Sequence, residues 1–136
     1  MNFSFNYIVE RTASLLAAII LLQTLFFKFS GAEESTFIFS SLGIEPWGRI
    51  GTGILELAAG LMLLSRAFSA VGALLGAGLM AGAIMSHLLI LGIEVQGDGG
   101  WLFALAVAVF VSNIITLIMM RAQFRPQLRR FLPFLR

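Results

Sequence analysis

The sequence predicts an all-α fold, an integral membrane four-helix bundle with both termini cytoplasmic, and three observations carry that prediction. Of 136 residues, 59% are hydrophobic and 12% charged, with a mean hydropathy of +0.96, whereas soluble domains hold about 45–50% apolar and about 25% charged residues. Four apolar runs each approach the ~20 residues needed to cross a hydrocarbon layer ~30 Å thick. The connectors between them are short, so no soluble catalytic domain fits, and any chemistry sits within the bundle or at its mouths.

The first span is predicted over 12–29, with Arg11 just before it and Lys28, Ser30 and Gly31 closing it. A cleaved signal peptide is the alternative, with Ser30-Gly31-Ala32 as a loose cleavage site; the long apolar core, Lys28 within it and Glu10 before it argue against that. Residues 32–45 form an acidic connector whose Phe37-Ile38-Phe39 is too short to span and is expected at the interface. The second span, 46–64, starts with Pro46 in its first turn and Trp47 as an interfacial anchor, and ends at Ser65 and Arg66. The third, 68–91, is rich in small residues, and Gly72, Gly76, Gly78 and Gly82 have the four-residue spacing that lets helix backbones approach closely. A second acidic loop, with Glu94 and Asp98, leads to the fourth span, 101–120. The tail 121–136 alternates basic and apolar residues. Pro126 and Pro133 are expected to prevent one continuous helix there and to leave the tail lying on an anionic leaflet.

Charge sets the orientation. Arg11, Arg66, Arg121, Arg125, Arg129, Arg130 and Arg136 fall at one end of the spans, while Lys28, Arg49, Glu33, Glu34, Glu45, Glu94 and Asp98 fall at or near the other. The positive-inside rule makes the arginine end cytoplasmic. The same crowding explains a pI near 9.9 at a net charge of only +2, so nucleic acid is not implied. With no cysteine, disulfides, thiolate metal sites and dithiol redox relays are excluded, and a single histidine leaves no histidine cluster for a metal.

Glu56 organises the candidate site. It lies roughly 15 Å below Pro46 at about 1.5 Å per residue, and a charge near a bilayer centre costs about 3 kcal/mol on insertion scales, so it needs a partner or a proton. Arg49, Gly53, Glu56 and Gly60 share one stripe, while Ile50, Ile54, Leu57, Leu61 and Leu64 form an apolar neighbour, so Glu56 is expected to face protein. His87 sits roughly 7 Å inside the third span and Asn113 roughly 20 Å inside the fourth. Gln23 and Lys28, five residues apart, fall on different helix faces; Lys28 is expected to snorkel outward and Gln23 to hydrogen-bond inward. Lys28, Arg49, His87, Glu56 and Asn113 would then form a polar ladder from outside. The plainer alternative pairs Glu56 with Arg49 or Lys28 and leaves His87, Gln23 and Asn113 as interhelical hydrogen bonds worth about 0.6 kcal/mol each. The methionines read as packing.

A set of phrases resembles the DoxX family of small four-span membrane proteins over roughly residues 8–120. They are Arg11 before the first span and Phe27-Lys28 closing it, Leu42-Gly43-Ile44-Glu45-Pro46, Gly53-Ile54-Leu55-Glu56-Leu57-Ala58-Ala59-Gly60, Gly72-Ala73-Leu74-Leu75, and Gly82-Ala83 ahead of His87. The resemblance implies a four-helix membrane bundle in the inner membrane, loosely linked to oxidoreductase systems. The expected function is a membrane subunit of such a system, with a partner redox protein, that binds a quinone-like or other small amphipathic molecule beside Glu56 and His87. Lys28 and Arg49 would attract an anion or polarise a carbonyl, and Gln23 and Asn113 would position the ligand. The alternatives are a small transporter, which with four spans needs a homo-oligomer, or a membrane scaffold without catalysis. Vitamin K epoxide reductase chemistry is excluded, since it needs paired cysteines.

Overall fold

The computed structural model describes residues 4–134, and these fold into helices joined by short turns. Ser4 starts the first: its Oγ accepts the N–H of Tyr7 at 3.3 Å, an N-cap bond. Helix α1 runs Phe5–Gln23 and, after a turn at Thr24, the chain continues as α2, Leu25–Ser30, so the first apolar rod covers Phe5–Ser30 and starts earlier than hydropathy alone suggests. Gly31, at φ 67°, ends it in the left-handed conformation that favours glycine.

The acidic connector is itself a helix, α3, Glu33–Ser41. Glu33 and Glu34 in its first turn complement the helix dipole. Ser35 and Phe39 point inward while Phe37 stays exposed. Then come α4, Trp47–Leu64, and α5, Ser69–Ser86, which widens into a π-turn over His87–Leu91. Last are α6, Trp101–Met119, and α7, Arg121–Phe131.

The long helices α1, α4, α5 and α6 each pack on their neighbours in the chain, and α6 closes back onto α1. An ion pair from Glu10 to Arg66 joins the start of α1 to the end of α4, and Arg49 on the first turn of α4 reaches the Lys28 carbonyl at the end of α2, so successive long helices run antiparallel. The shared core is small-residue rich: Ala17, Ala18, Ala59, Ala73 and Ala106 with Leu21, Leu63, Met80 and Val109. Small side chains let backbones close up, which is what holds helices together where lipid is as apolar as the core.

The glycines divide along α5. A Cβ at Gly72 would lie 2.7 Å from Met62 Cβ and 3.1 Å from the Ala59 carbonyl oxygen, and one at Gly76 would lie 2.5 Å from Asn113 Nδ2. Gly78 and Gly82 instead have nothing within 4 Å, so in contrast to the expectation they do not hold helices together within this chain.

Outside, the stripe Ile54, Leu57, Leu61 and Leu64 of α4 is exposed, as are Ile19 on α1, Leu89 and Ile90 beyond α5 and Ile118 on α6. Four helical segments are long and apolar enough to cross a membrane: Phe5–Ser30, Trp47–Leu64, Ser69–Leu91 and Trp101–Met119.

The tail is not one continuous helix, since α7 stops at Phe131 ahead of Pro133, but the break expected at Pro126 does not occur. Helix α7 continues through Pro126. The proline costs one backbone hydrogen bond, and its neighbour Gln127 offsets that by docking on α5. Gln127 Oε1 accepts the N–H groups of Ala70 at 2.8 Å and Val71 at 3.4 Å, and its Nε2 donates to the Arg66 carbonyl at 3.1 Å. Gln127 thereby caps the free N–H groups at the start of α5. Arg130 donates to the Ala67 carbonyl at 3.0 Å, and Phe131 packs edge-on against Phe68. Pro133 lies beyond the helix, and Arg136 lies outside the described residues.

Candidate functional site

The predicted stripe of α4 turns inward: Arg49, Gly53, Glu56 and Gly60 are all buried. Phe29 and Leu22 close over Gly53 and Gly60, where an added Cβ would come within 2.9 and 2.7 Å of their side chains. Glu56 is therefore held in the bundle interior, where a lone carboxylate is costly. Its partner is Lys28, whose Nζ lies 3.0 Å from Oε2, and the Thr24 hydroxyl, which bonds the Leu21 carbonyl at 2.9 Å, lies 3.4 Å from the same oxygen. Lys28 does not snorkel outward. The turn at Thr24 sets α2 off from α1, the lysine side chain is only 16% exposed, and the attraction of a buried carboxylate outweighs the route to the surface.

Arg49, the rival partner, is occupied elsewhere. Its Nε donates to both carboxylate oxygens of Glu45, at 2.8 and 3.1 Å, and its Nη1 to the Lys28 carbonyl. It braces the junction of α2 and α4, away from Glu56.

His87 begins the π-turn that ends the third span. Widening of this kind is rare and recurs at functional positions. Its Nδ1 lies 2.9 Å from the Gly92 carbonyl oxygen, the ring stands edge-on to Phe103 at 5.6 Å between centroids, and the side chain is buried. Next to it, Asp98 organises the loop into α6, accepting the N–H groups of Val95 and Gly100 through Oδ1 and of Leu102 through Oδ2. Burial pushes the Asp98 carboxyl up, but these N–H groups together pull it further down, leaving it below its ordinary value.

These groups meet in one cavity of about 570 Å³ between α1, α2, α4, α5 and α6, with α3 over it. Its polar positions are Gln23, Thr24, Lys28, Thr52, Glu56, Ser86 and His87, with Glu34 and Ser35 from α3. Its apolar walls include Phe27, Phe39, Leu79, Met80, Trp101 and Leu105. Gly78 and Gly82 are here too, where the lack of a side chain leaves space. Gln23 is exposed and, among the described residues, its side chain makes no hydrogen bond, contrary to the inward bond expected of it.

The ladder is therefore incomplete. Lys28, Gln23, Glu56 and His87 share the cavity, whereas Arg49 and Asn113 do not line it. Asn113 is fully buried against Gly76, one turn below the cavity-lining Val109, and neither end of its amide has a hydrogen-bond partner.

Sequence reasoning missed three participants. Thr24 was read only as part of the first apolar run, Glu34 lay in a segment read as a connector, and Trp101 was read only as the start of the fourth span. It also missed a polar cluster at the far end. Glu10, 1% exposed, lies 3.7 Å from Arg11 and 3.6 Å from Arg66, with Arg66 stacked on Tyr7 at 4.6 Å. Arg11 also donates to the Leu63 carbonyl at 2.7 Å and to Ser14. The available signal was the level of Glu10, opposite Arg66 once adjacent spans run antiparallel. No group of three or more histidine, aspartate or glutamate side chains that could hold a metal occurs among the described residues. No family model, no curated protein and no solved structure matches this chain.

Proposed function

We propose that this chain is a multi-pass membrane protein of a bacterial inner membrane, with both termini cytoplasmic, that holds a small quinone-like amphipath within its bundle as a subunit of an oxidoreductase system. The observation that carries the reading is the cavity itself, which places a buried lysine–glutamate pair and the chain's single histidine against walls of Phe, Leu, Met and Trp. Its volume of about 570 Å³ falls within the roughly 300–1,000 Å³ of small-molecule sites, and apolar walls with a few polar groups are their usual makeup. Ionisable groups at membrane depth commonly serve ligand binding or proton exchange. Glu56 and His87 would exchange protons with a bound molecule.

The orientation rests on Arg11, Arg66, Arg121, Arg125, Arg129 and Arg130 at one end, against Glu33, Glu34, Glu45, Glu94 and Asp98 at the other. The redox setting and a partner redox protein rest on the DoxX-like phrases of the sequence. Lipid is the surrounding partner, and the exposed Gly78 and Gly82 leave a homo-oligomer sterically open.

Trp101 lines the cavity and Trp47 does not, which gives a direct test. In a Trp47→Phe background, a short-tailed quinone is expected to quench Trp101 saturably and to be displaced by a non-quenching analogue. Absence of saturable quenching, together with no quinone in an organic extract of the purified protein, overturns the reading.

A further inference from the structure

The hydrogen-bonding sense of the cavity identifies what kind of head group it accepts. A carbonyl oxygen only accepts, so the 2.9 Å contact between His87 Nδ1 and the Gly92 carbonyl requires the proton to be on Nδ1. In the neutral ring the opposite nitrogen, Nε2, then carries a lone pair. It has no protein partner and is not sealed from the surface, and the residue lines the cavity. The nearby Asp98 spends both oxygens on backbone N–H groups.

Glu56 adds a second acceptor on the other side. Lys28 and Thr24 both address Oε2, which leaves Oε1 without a protein partner and open. With Glu34 on α3 the cavity holds two carboxylates against one ammonium. An anion is disfavoured there by charge, contrary to the attraction expected of Lys28 and Arg49. A second cation would meet the Lys28 ammonium beside Glu56. A neutral molecule with its own hydrogen-bond donor satisfies both acceptors.

We infer that the cavity selects the hydroxyl-bearing form of its ligand, a neutral ring amphipath whose O–H donates to His87 Nε2, over forms that carry only acceptors. The inference rests on the ligand-binding reading above and adds the chemical class. The π-turn is what makes it possible, since it holds the ring by its Nδ1 edge and leaves the other edge to the ligand.

The test uses the full chain in detergent under anaerobic conditions, with Trp101 fluorescence in the Trp47→Phe background. Three probes differ only in the head: a decyl-tailed hydroquinone, its quinone and its dimethyl ether. The hydroquinone is expected to bind about tenfold or more tighter than the other two, the penalty for leaving a buried acceptor unpaired. His87→Phe keeps an aromatic ring beside Phe103 but no acceptor, and is expected to bring the hydroquinone to the level of its ether.

Equal affinities in the unsubstituted site overturn this inference and leave the binding reading standing, whereas binding of none of the three overturns both. A preference that survives His87→Phe removes His87 from the assignment. Because the chain has one histidine, ¹⁵N-histidine labelling reports the ring without any cavity substitution. Protonated Nδ1 and bare Nε2 are expected, with Nε2 alone shifting on hydroquinone addition; a proton on Nε2 in the free protein rules the inference out.

Discussion

Lys28 and Glu56 show how a single contact decides the character of a buried site. Two opposite charges 3.0 Å apart in a low-dielectric interior cost much to desolvate and gain much from each other, so the pair is nearly balanced while either member alone is not. Lys28→Met is expected to destabilise the protein by about 3–5 kcal/mol, because Glu56 is left buried without its cation. The double substitution Lys28→Met, Glu56→Met is expected to recover most of that loss. Thermal unfolding in detergent reads both, and a double variant no more stable than the single one would show that the pair is not energetically coupled. The sequence identified Glu56 as a group in need of a partner, because a carboxylate amid apolar residues is conspicuous. It did not identify which cation. Lys28 and Arg49 both lie within reach of one carboxylate, and the choice depends on Glu45, four residues before Arg49, claiming the guanidinium first.

Helix α5 shows that one motif can serve two purposes along a single element. Two glycine pairs of the same four-residue spacing read identically in the sequence, yet only Gly72 and Gly76 lie at crowded crossings, against α4 and Asn113. Gly72→Ala is expected to lower stability by about 1–3 kcal/mol through overpacking against Met62 and the Ala59 backbone. Gly78→Ala, in open space, is expected to raise it by up to about 1 kcal/mol through helix propensity. Opposite signs in the thermal unfolding of the two variants are the check. Helix α7 was illegible for a different reason. Proline statistics predict a break at Pro126, while the compensation comes from Gln127 bonding to Ala70 and Val71, a contact made across more than fifty residues of chain. Local rules do not see such a partner.

At the level of the whole molecule, the four spans were the most legible feature, since hydropathy over about 20 residues reports directly on whether a helix can face lipid. Their small-residue core, the roof formed by α3 and the Glu10 cluster all depend on which ends meet, and that follows only once the helices are antiparallel. The arrangement puts every described arginine but Arg49 at one end and most of the carboxylates at the other, which predicts a sidedness. The chain contains no cysteine, so single cysteines can report it without background. Ser40→Cys is expected to react with a membrane-impermeant maleimide added outside intact cells, and Arg129→Cys only after lysis. The reverse pattern would invert the topology and place the cavity on the cytoplasmic side.

The π-turn at His87–Leu91 has a consequence for how this end of the chain can vary. One wide turn sets two things at once: the imidazole is turned into the protein, and Leu88, Leu89 and Ile90 are all turned out, at 57%, 72% and 62% exposure. Losing one residue here would restore an ordinary helical repeat and rotate everything before Gly92 by about 100°, exchanging an aliphatic side chain for the ring. Changes of length in this corner are thus forbidden to a lineage that keeps its histidine in place, while exchanges of one apolar side chain for another among the outward three are free.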